Sequence, residues 1–167
     1  MNFAAHDLSG LILAGGRSTR MGGREKGLQL LDGRTMVSHI IDRLKPQVGP
    51  LLINANTRLD DYQSLSLPIV SDLISGYVGP LAGLHAGLSL CPTPYLLSVP
   101  CDCPFLPVDL ASRLGQALML SGADAAYAVT MNETQTEHHP VFCLLKQNTL
   151  ASLSDYLSHG GRKVMTW

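Results

Sequence analysis

The chain has 167 residues and a formal net charge of −1, with 46% hydrophobic but only 15% charged residues. A chain of this length fits one domain that buries a core of its own, and its composition excludes a disordered or coiled-coil protein. Because the net charge is close to zero, the chain lacks the general attraction for nucleic acid or anionic membranes that a basic protein has, and we expect neither as a partner.

Apolar periodicity and turn residues predict strands alternating with helices. The predicted strands are 9–14, 51–56, 68–72, 95–99, 125–129 and 141–145, and the predicted helices are 35–45, 79–90, 107–120 and 148–158. The first helix has Thr35 as a plausible N-cap and Pro46 as its stop. Since most strands are continuous apolar runs, the pattern favours an α/β fold in which helices cover both faces of a largely parallel sheet.

The apolar runs are too short to cross a bilayer, which takes roughly 20 residues. The N-terminal MNFAAHD lacks the basic region of a signal peptide, so the expected location is the cytoplasm. We expect the four cysteines to be reduced and buried, because they lie in or beside apolar segments without C-x-x-C spacing: Cys91, Cys101, Cys103 and Cys143. The six histidines show no spacing typical of zinc ligands.

Polar or glycine-rich segments stand at the ends of four of the predicted strands. The first strand leads into a glycine loop, the second ends in Asn54-Ala55-Asn56, the third ends at Asp72, and strand 95–99 is followed by a turn with Asp102. In open α/β sheets, ligands bind outside the carboxyl ends of the strands. The sequence therefore predicts a ligand site formed by these loops.

The glycine loop, LAGGRSTRMGGREKG at 13–27, carries four cations: Arg17, Arg20, Arg24 and Lys26. Its spacing matches neither the Walker A loop nor the G-x-G-x-x-G dinucleotide fingerprint. The adjacent Gly15 and Gly16 let backbone N–H groups approach a ligand, and nearby cations can neutralise phosphate oxygens. A triphosphate fits this combination, and the alternative is a solvated surface loop.

This loop resembles the signature L-A-G-G-x-S-x-R-M-G-x-D-K of nucleotidyltransferases that activate small molecules with a nucleoside triphosphate. Together with NAN at 54–56, SDLISGYVGPLAGLHAGL at 71–88 and PCDCPFLP at 100–107, it is similar to the molybdenum cofactor guanylyltransferase family over nearly the whole chain. The resemblance implies a single domain, 1–167, with a three-layer, Rossmann-like nucleotidyltransferase fold. It also implies transfer of GMP from GTP to the phosphate of molybdopterin with release of pyrophosphate.

The resemblance further implies which residues hold the nucleotide. Leu13, Ala14 and Gly15 would line the base and ribose through their backbone, and Asn54 and Asp72 would touch the nucleoside. Gly79 opens the predicted helix 79–90, whose first N–H groups could face an anion or a base. Each assignment has an alternative: Asn54 and Asp72 could be turn residues, and the small residues of 79–90 could serve close helix packing alone.

Lys26, with Arg20 assisting, would hold the phosphates, and Asp102 would bind both the nucleotide and Mg²⁺. Phosphoryl-type transfer needs cations and positioning rather than a protein nucleophile. Magnesium accepts one or two carboxylates alongside phosphate oxygens and water, which makes Asp102 a natural ligand. The alternative for Asp102 is a capping role in its turn or at the helix predicted from 107.

The match departs from the family pattern in two places. Glu25 stands where the family usually has an Asp before the loop lysine. The family's C-terminal strand and its N-x-N-T-P segment have no counterpart before Trp167, which puts the activity of this chain in question.

Several other functions stay open. A molybdopterin cytidylyltransferase or a sugar-phosphate nucleotidyltransferase would share the architecture, and a non-catalytic nucleotide-binding domain is a different class of function. If the resemblance to the guanylyltransferases holds, the partners are GTP and molybdopterin, with molybdoenzymes or cofactor-handling proteins receiving the product.

Overall fold

The computed structural model describes residues 4–16, 25–76, 79–132 and 134–167. The strands are β1 (Leu8–Leu13), β2 (Leu30–Leu31), β3 (Arg34–Thr35), β4 (Leu51–Asn54), β5 (Ile69–Val70), β6 (Tyr95–Pro100), β7 (Ala125–Met131) and β8 (Thr136–Lys146). The α-helices are α1 (Met36–Leu44), α2 (Leu59–Gln63), α3 (Pro80–Leu90), α4 (Leu110–Ser121) and α5 (Leu150–Ser158). Short 3-10 helices include Lys26–Leu28, Lys45–Gln47 and Gln147–Thr149.

Six strands form one sheet in the order β5-β4-β1-β6-β8-β7. The first four are mutually parallel, and β8 runs antiparallel to both β6 and β7. Strands β2 and β3 form a separate two-stranded hairpin. The prediction of an α/β fold with a mostly parallel sheet is confirmed, and the antiparallel pair β7–β8 forms one end of that sheet.

Helices cover both faces of the sheet, as predicted. Within β1, Leu8 and Ile12 belong to a core shared with α1 and α4, whereas Leu11 belongs to a core shared with α3 and α5. This alternation follows from the two-residue period of a strand. The central strands are therefore buried on both sides, and the loops that follow their carboxyl ends form one edge of the three-layer arrangement.

The element bounds differ from the predicted ones in explicable ways. Thr35 caps α1 as predicted, because its side chain accepts a hydrogen bond from the Ser38 N–H at 3.3 Å. Helix α4 begins only at Leu110, three residues later than predicted, and strand β8 starts at Thr136, well before 141. Helix α2 and the β2–β3 hairpin were not predicted, since segments of two to five residues are too short for a periodic pattern.

All four cysteines are free thiols. Cys101 and Cys143 are buried as expected, but the expectation of burial is wrong for Cys91 and Cys103, which are partly exposed in loops that follow α3 and β6. Among the helices of the described ranges, none combines the length and the apolar character that crossing a membrane requires.

Candidate functional site

A cavity of about 280 Å³ lies at the carboxyl edge of the parallel strands. It contains every predicted site residue that the structure describes: Leu13, Ala14, Gly15, Gly16, Lys26, Asn54, Asp72, Gly79 and Asp102. Arg20, the remaining predicted residue, lies outside the described ranges. A larger cavity of about 440 Å³ is formed by β7, β8, α5 and the C-terminal residues, and none of the predicted residues lines it. The smaller cavity is therefore the candidate site.

The parallel register explains why distant segments meet here. Leu13, the last residue of β1, pairs with Asn54 on one side and with Pro100 on the other. The backbone bonds continue one residue further, since Ala14 N–H donates to the Asn54 carbonyl at 2.8 Å and Cys101 N–H donates to the Leu13 carbonyl at 3.1 Å. The three loops consequently leave the sheet side by side.

Lys26 and Asp102 form an ion pair at one end of the cavity, with 3.0 Å between Nζ and Oδ2. The hydrogen bond from the ammonium to Asp102 and the charge of that carboxylate raise the pKa of Lys26, so the lysine stays cationic at neutral pH. The side chains are 53% and 36% exposed. Because exposed ion pairs contribute little to stability, both charges can exchange this contact for a ligand at small cost.

Gly27 brings the lysine this close to the loop of Asp102. The residue is buried in the 3-10 helix Lys26–Leu28, and a Cβ there would lie 3.1 Å from both the Cys101 Cβ and the Tyr62 hydroxyl oxygen. These contacts are tighter than most side chains accept. A glycine after Lys26 therefore allows the turn to pack directly on the segment that carries Asp102.

Asp72 is held by the side chains of two asparagines. Asn54 Nδ2 donates to its Oδ1 at 2.9 Å, and Asn56 Nδ2 donates to its Oδ2 at 2.8 Å. The backbone N–H of Asp72 donates in turn to Asn56 Oδ1 at 2.8 Å. The carboxylate is thus fixed through both oxygens, and the role of a simple turn residue does not account for this arrangement.

Close approach of two glycines to Asn54 shapes the wall behind this network. Asn54 is only 2% exposed. A Cβ on Gly15 would lie 2.8 Å from Asn54 Oδ1, and one on Gly83 would overlap the same atom. Substitution at either position would push the amide, so glycine is required for the loop and for α3 to pack against it.

The small residues of α3 thus serve close packing, which was the alternative interpretation of this helix. Gly87 approaches Leu11 in the same way, because a Cβ added to this glycine would lie 2.5 Å from Leu11 Cδ2. Gly79 differs, because nothing lies within 4 Å of a Cβ there. Its φ of 69° and ψ of −155° belong to a region open essentially to glycine alone, and it places the start of α3 at the cavity.

Asp102 does not cap α4, because the residue at the N-cap position of that helix is Asp109. Besides its ion pair with Lys26, Asp102 is approached by the Cys103 thiol, with 3.7 Å between Sγ and Oδ1. Its carboxylate therefore faces the cavity beside a cation rather than completing a helix end.

Glu25, the departure from the family pattern, is nearly buried and lines the cavity next to Lys26. The Thr57 hydroxyl donates a hydrogen bond to its Oε1. The longer side chain is thus anchored on the loop that follows β4. Neither Thr57 nor Asn56 was singled out from the sequence, although the repeated asparagine of 54–56 was a signal for Asn56.

Comparisons with known proteins show which family the chain belongs to. Residues 10–167 match the family model of the MobA-like NTP transferase domain. The molybdenum cofactor guanylyltransferase of Cupriavidus necator is 52% identical over 165 residues, which cover 98% of this chain and 83% of that protein. The enzyme of the same name from Ralstonia nicotianae is 49% identical over 166 residues, covering 96% and 81%.

The fold also occurs in solved structures of low sequence identity. The molybdopterin-guanine dinucleotide biosynthesis protein A of Archaeoglobus fulgidus superposes with a TM-score of 0.72 at 20% identity, covering 95% of this chain and 77% of that one. A CMP:2-keto-3-deoxy-manno-octonic acid synthetase complexed with CTP gives 0.71 at 14% identity, covering 89% and 78%. The chain belongs to the family of MobA-like NTP transferases.

Proposed function

We propose that this nucleotidyltransferase transfers GMP from GTP to the phosphate of molybdopterin, forming the guanine dinucleotide of the cofactor and releasing pyrophosphate. One observation carries the proposal: a single cavity is lined by adjacent glycines, by a carboxylate that two asparagines fix through hydrogen bonds, and by a lysine paired with an aspartate. The chain is also about half identical, over nearly its whole length, to proteins named molybdenum cofactor guanylyltransferase.

The nucleoside would occupy the end of the cavity between β1 and β5. Leu13, Ala14, Gly15 and Gly16 line this end, and the first three would contact the base and ribose through their backbone. Asn54 and Asp72 would contact the nucleoside, and the start of α3 at Gly79 would close this end. The hydrogen bonds that hold Asp72 keep its carboxylate oriented before a ligand arrives.

Lys26 would hold the phosphates at the other end of the cavity. In the reaction, an oxygen of the molybdopterin phosphate attacks the α-phosphorus of GTP, and the bond from that phosphorus to the leaving pyrophosphate breaks. Negative charge accumulates on the pyrophosphate, which a fixed cation stabilises. We assign this role to Lys26, and to Arg20 as a second cation from the same loop.

Asp102 would hold a divalent metal, which we propose is Mg²⁺. Within the four ranges that the structure describes, no cluster of three or more His, Cys, Asp or Glu could hold a metal ion. One carboxylate nevertheless fits Mg²⁺, because that ion keeps several waters and shares phosphate oxygens with the substrate. When bound, it would neutralise phosphate charge and stabilise the leaving group.

The remaining proposals concern the setting of the reaction. We place the enzyme in the cytoplasm, treat 1–167 as one nucleotidyltransferase domain, and expect molybdoenzymes or cofactor-handling proteins to take up the product. The chain spans about four fifths of the length of the curated relatives described above.

Pyrophosphate release tests the function directly. The protein is incubated with molybdopterin and Mg²⁺, and GTP, CTP and ATP are titrated separately. We expect the highest kcat/KM with GTP and a product that contains guanine. Preference for CTP would identify a cytidylyltransferase instead, whereas GTP binding without pyrophosphate release would identify a non-catalytic binding domain.

A further inference from the structure

Asn56 makes three hydrogen bonds that join two loops of the site. Its Nδ2 donates to the Asp72 carboxylate at 2.8 Å and to the Gly15 carbonyl at 3.1 Å, while its Oδ1 accepts from the Asp72 N–H at 2.8 Å. Both amide hydrogens and the amide oxygen are therefore engaged. This full set also fixes which end of the amide is nitrogen, because only N–H can donate to a carboxylate.

We propose that Asn56 is a positioning residue that determines the affinity of the site for the nucleoside of its substrate. The proposal rests on the proposed function, in which Asp72 and the Gly15 backbone contact the nucleoside. Gly15 and Asp72 line the cavity, and Asn56 bonds to both of them. We therefore assign its effect on the ligand to these two neighbours.

The geometry explains why asparagine is needed at this position. An aspartate of the same shape would place an oxygen where Nδ2 now stands, facing the Asp72 carboxylate and the Gly15 carbonyl. Two donor contacts would become repulsive contacts between acceptors, in a partly buried setting where charges are weakly screened. Asp72 and the start of the glycine loop would move apart, although the Oδ1 contact with the Asp72 N–H could persist.

The phosphate end of the site is connected differently. Lys26 and Asp102 contact each other, and the bonds of Asn56 do not extend to either residue. A change at Asn56 should therefore lower the affinity for the nucleoside and leave the affinity for the phosphates nearly unchanged. A general loss of structure would weaken both equally.

The test measures Kd for GTP and for inorganic tripolyphosphate, each with Mg²⁺, on the wild type and on Asn56→Asp. We expect Kd for GTP to rise about tenfold or more, as for a lost or reversed hydrogen bond to a charged group. Kd for tripolyphosphate should stay within about twofold. Asn56→Ala, which removes the donors without adding charge, should also raise Kd for GTP selectively, but by a smaller factor. It replaces Asn56→Asp in the test if that variant does not fold.

Asn132→Asp is the matched control. Asn132 lies in the turn between β7 and β8, where its Oδ1 accepts from the N–H groups of Thr134 and Gln135. An aspartate can accept the same bonds, so the variant adds an equal charge without reversing a contact. Both affinities should match the wild type.

Three results would overturn the inference: equal weakening of both ligands in the Asn56 variants, unchanged GTP affinity in them, or a wild type that binds GTP no more tightly than tripolyphosphate. Failure of the proposed function looks different. In that case the wild type binds GTP selectively and the Asn56 variants lose this selectivity, yet no pyrophosphate is formed with molybdopterin.

Discussion

The two ends of the cavity are built in contrasting ways. At the nucleoside end, five hydrogen bonds link Asn54, Asn56 and Asp72 to each other and to the backbone of Gly15 and Val70. At the phosphate end, one ion pair joins two partly exposed side chains, Lys26 and Asp102. One end is held rigid, and the other consists of charges that are free to change partners.

This difference follows from what each end has to do. Recognition of a nucleoside requires acceptors and donors fixed in advance, because every ordered group that is already in place lowers the cost of binding. Transfer of a nucleotidyl group requires charges that leave one another and contact the phosphates and the metal. An exposed ion pair separates at little cost, whereas a lost bond in the asparagine network leaves a partner unsatisfied.

Removing the cation tests the phosphate end and should have the largest effect. We expect Lys26→Ala to lower kcat about 10²–10³-fold, equivalent to roughly 2.7–4 kcal/mol, because the fixed positive charge that stabilises the leaving pyrophosphate is lost. The rate of pyrophosphate release under saturating GTP measures kcat. Lys146→Ala, which removes a surface ion pair with Asp124, should leave turnover unchanged. A normal rate for Lys26→Ala would exclude this lysine from the mechanism.

Neutralising the neighbouring carboxylate tests the same end through the metal. Asp102→Asn should raise the Mg²⁺ concentration for half-maximal rate about tenfold or more, because a charged oxygen ligand is lost. It should also lower the pKa of Lys26, whose upward shift comes first from Asp102. The measurement is a Mg²⁺ titration of the rate, with Asp109→Asn as the charge-matched control. An unchanged metal requirement would contradict the assignment.

Crowding the rigid end should have a moderate effect on affinity rather than on chemistry. In Gly15→Ala, the new Cβ would lie 2.6 Å from Asn56 Nδ2 and 2.8 Å from Asn54 Oδ1. Overpacking of this kind costs about 1–3 kcal/mol, and we expect it to raise Kd for GTP. Gly16→Ala, where nothing lies within 4 Å of the added atom, should weaken binding less. Equal effects would show that the network does not constrain the loop.

High pH tests whether burial keeps the thiol at the phosphate end of the cavity protonated in the folded state. Burial raises the pKa of Cys101, which lines the cavity, and of Cys143 in the core from 9.0 to about 12. The pKa of each thiol is higher in the folded state than in the unfolded state. The stability that the protonated thiols contribute is therefore complete below pH 9 and is lost as pH rises toward 12. Each thiol should lower the unfolding free energy by about 1.4 kcal/mol per pH unit in that window.

Urea unfolding between pH 8 and 10.5 measures this slope. Cys143→Ala should remove the share of Cys143 and leave that of Cys101. A slope in Cys143→Ala equal to that of the wild type would mean that the thiol of Cys143 is not protected from ionisation in the folded state.

The sequence, through its apolar pattern and its resemblance to a known family, was sufficient for the layers of the fold and for nine of the residues that line the cavity. Continuous apolar strands can only be buried on both faces, and parallel strands bring the polar residues at their carboxyl ends to one edge. For the same reason Leu13, Asn54 and Asp102 could be predicted to meet, although they are far apart in the chain. Their roles in binding and catalysis remain predictions.

The tertiary structure decided the connections between those residues. These connections join segments whose separation in space depends on strand register and on close glycine contacts. They are the ion pair of Lys26 with Asp102, the bonds of Asn56 to Asp72 and Gly15, and the bond of Thr57 to Glu25. Periodicity determines which face a residue occupies, but only the packed loops determine which polar atoms lie within hydrogen-bond distance of one another. The contrast between a rigid nucleoside end and a phosphate end of exchangeable charges is therefore a property of the fold.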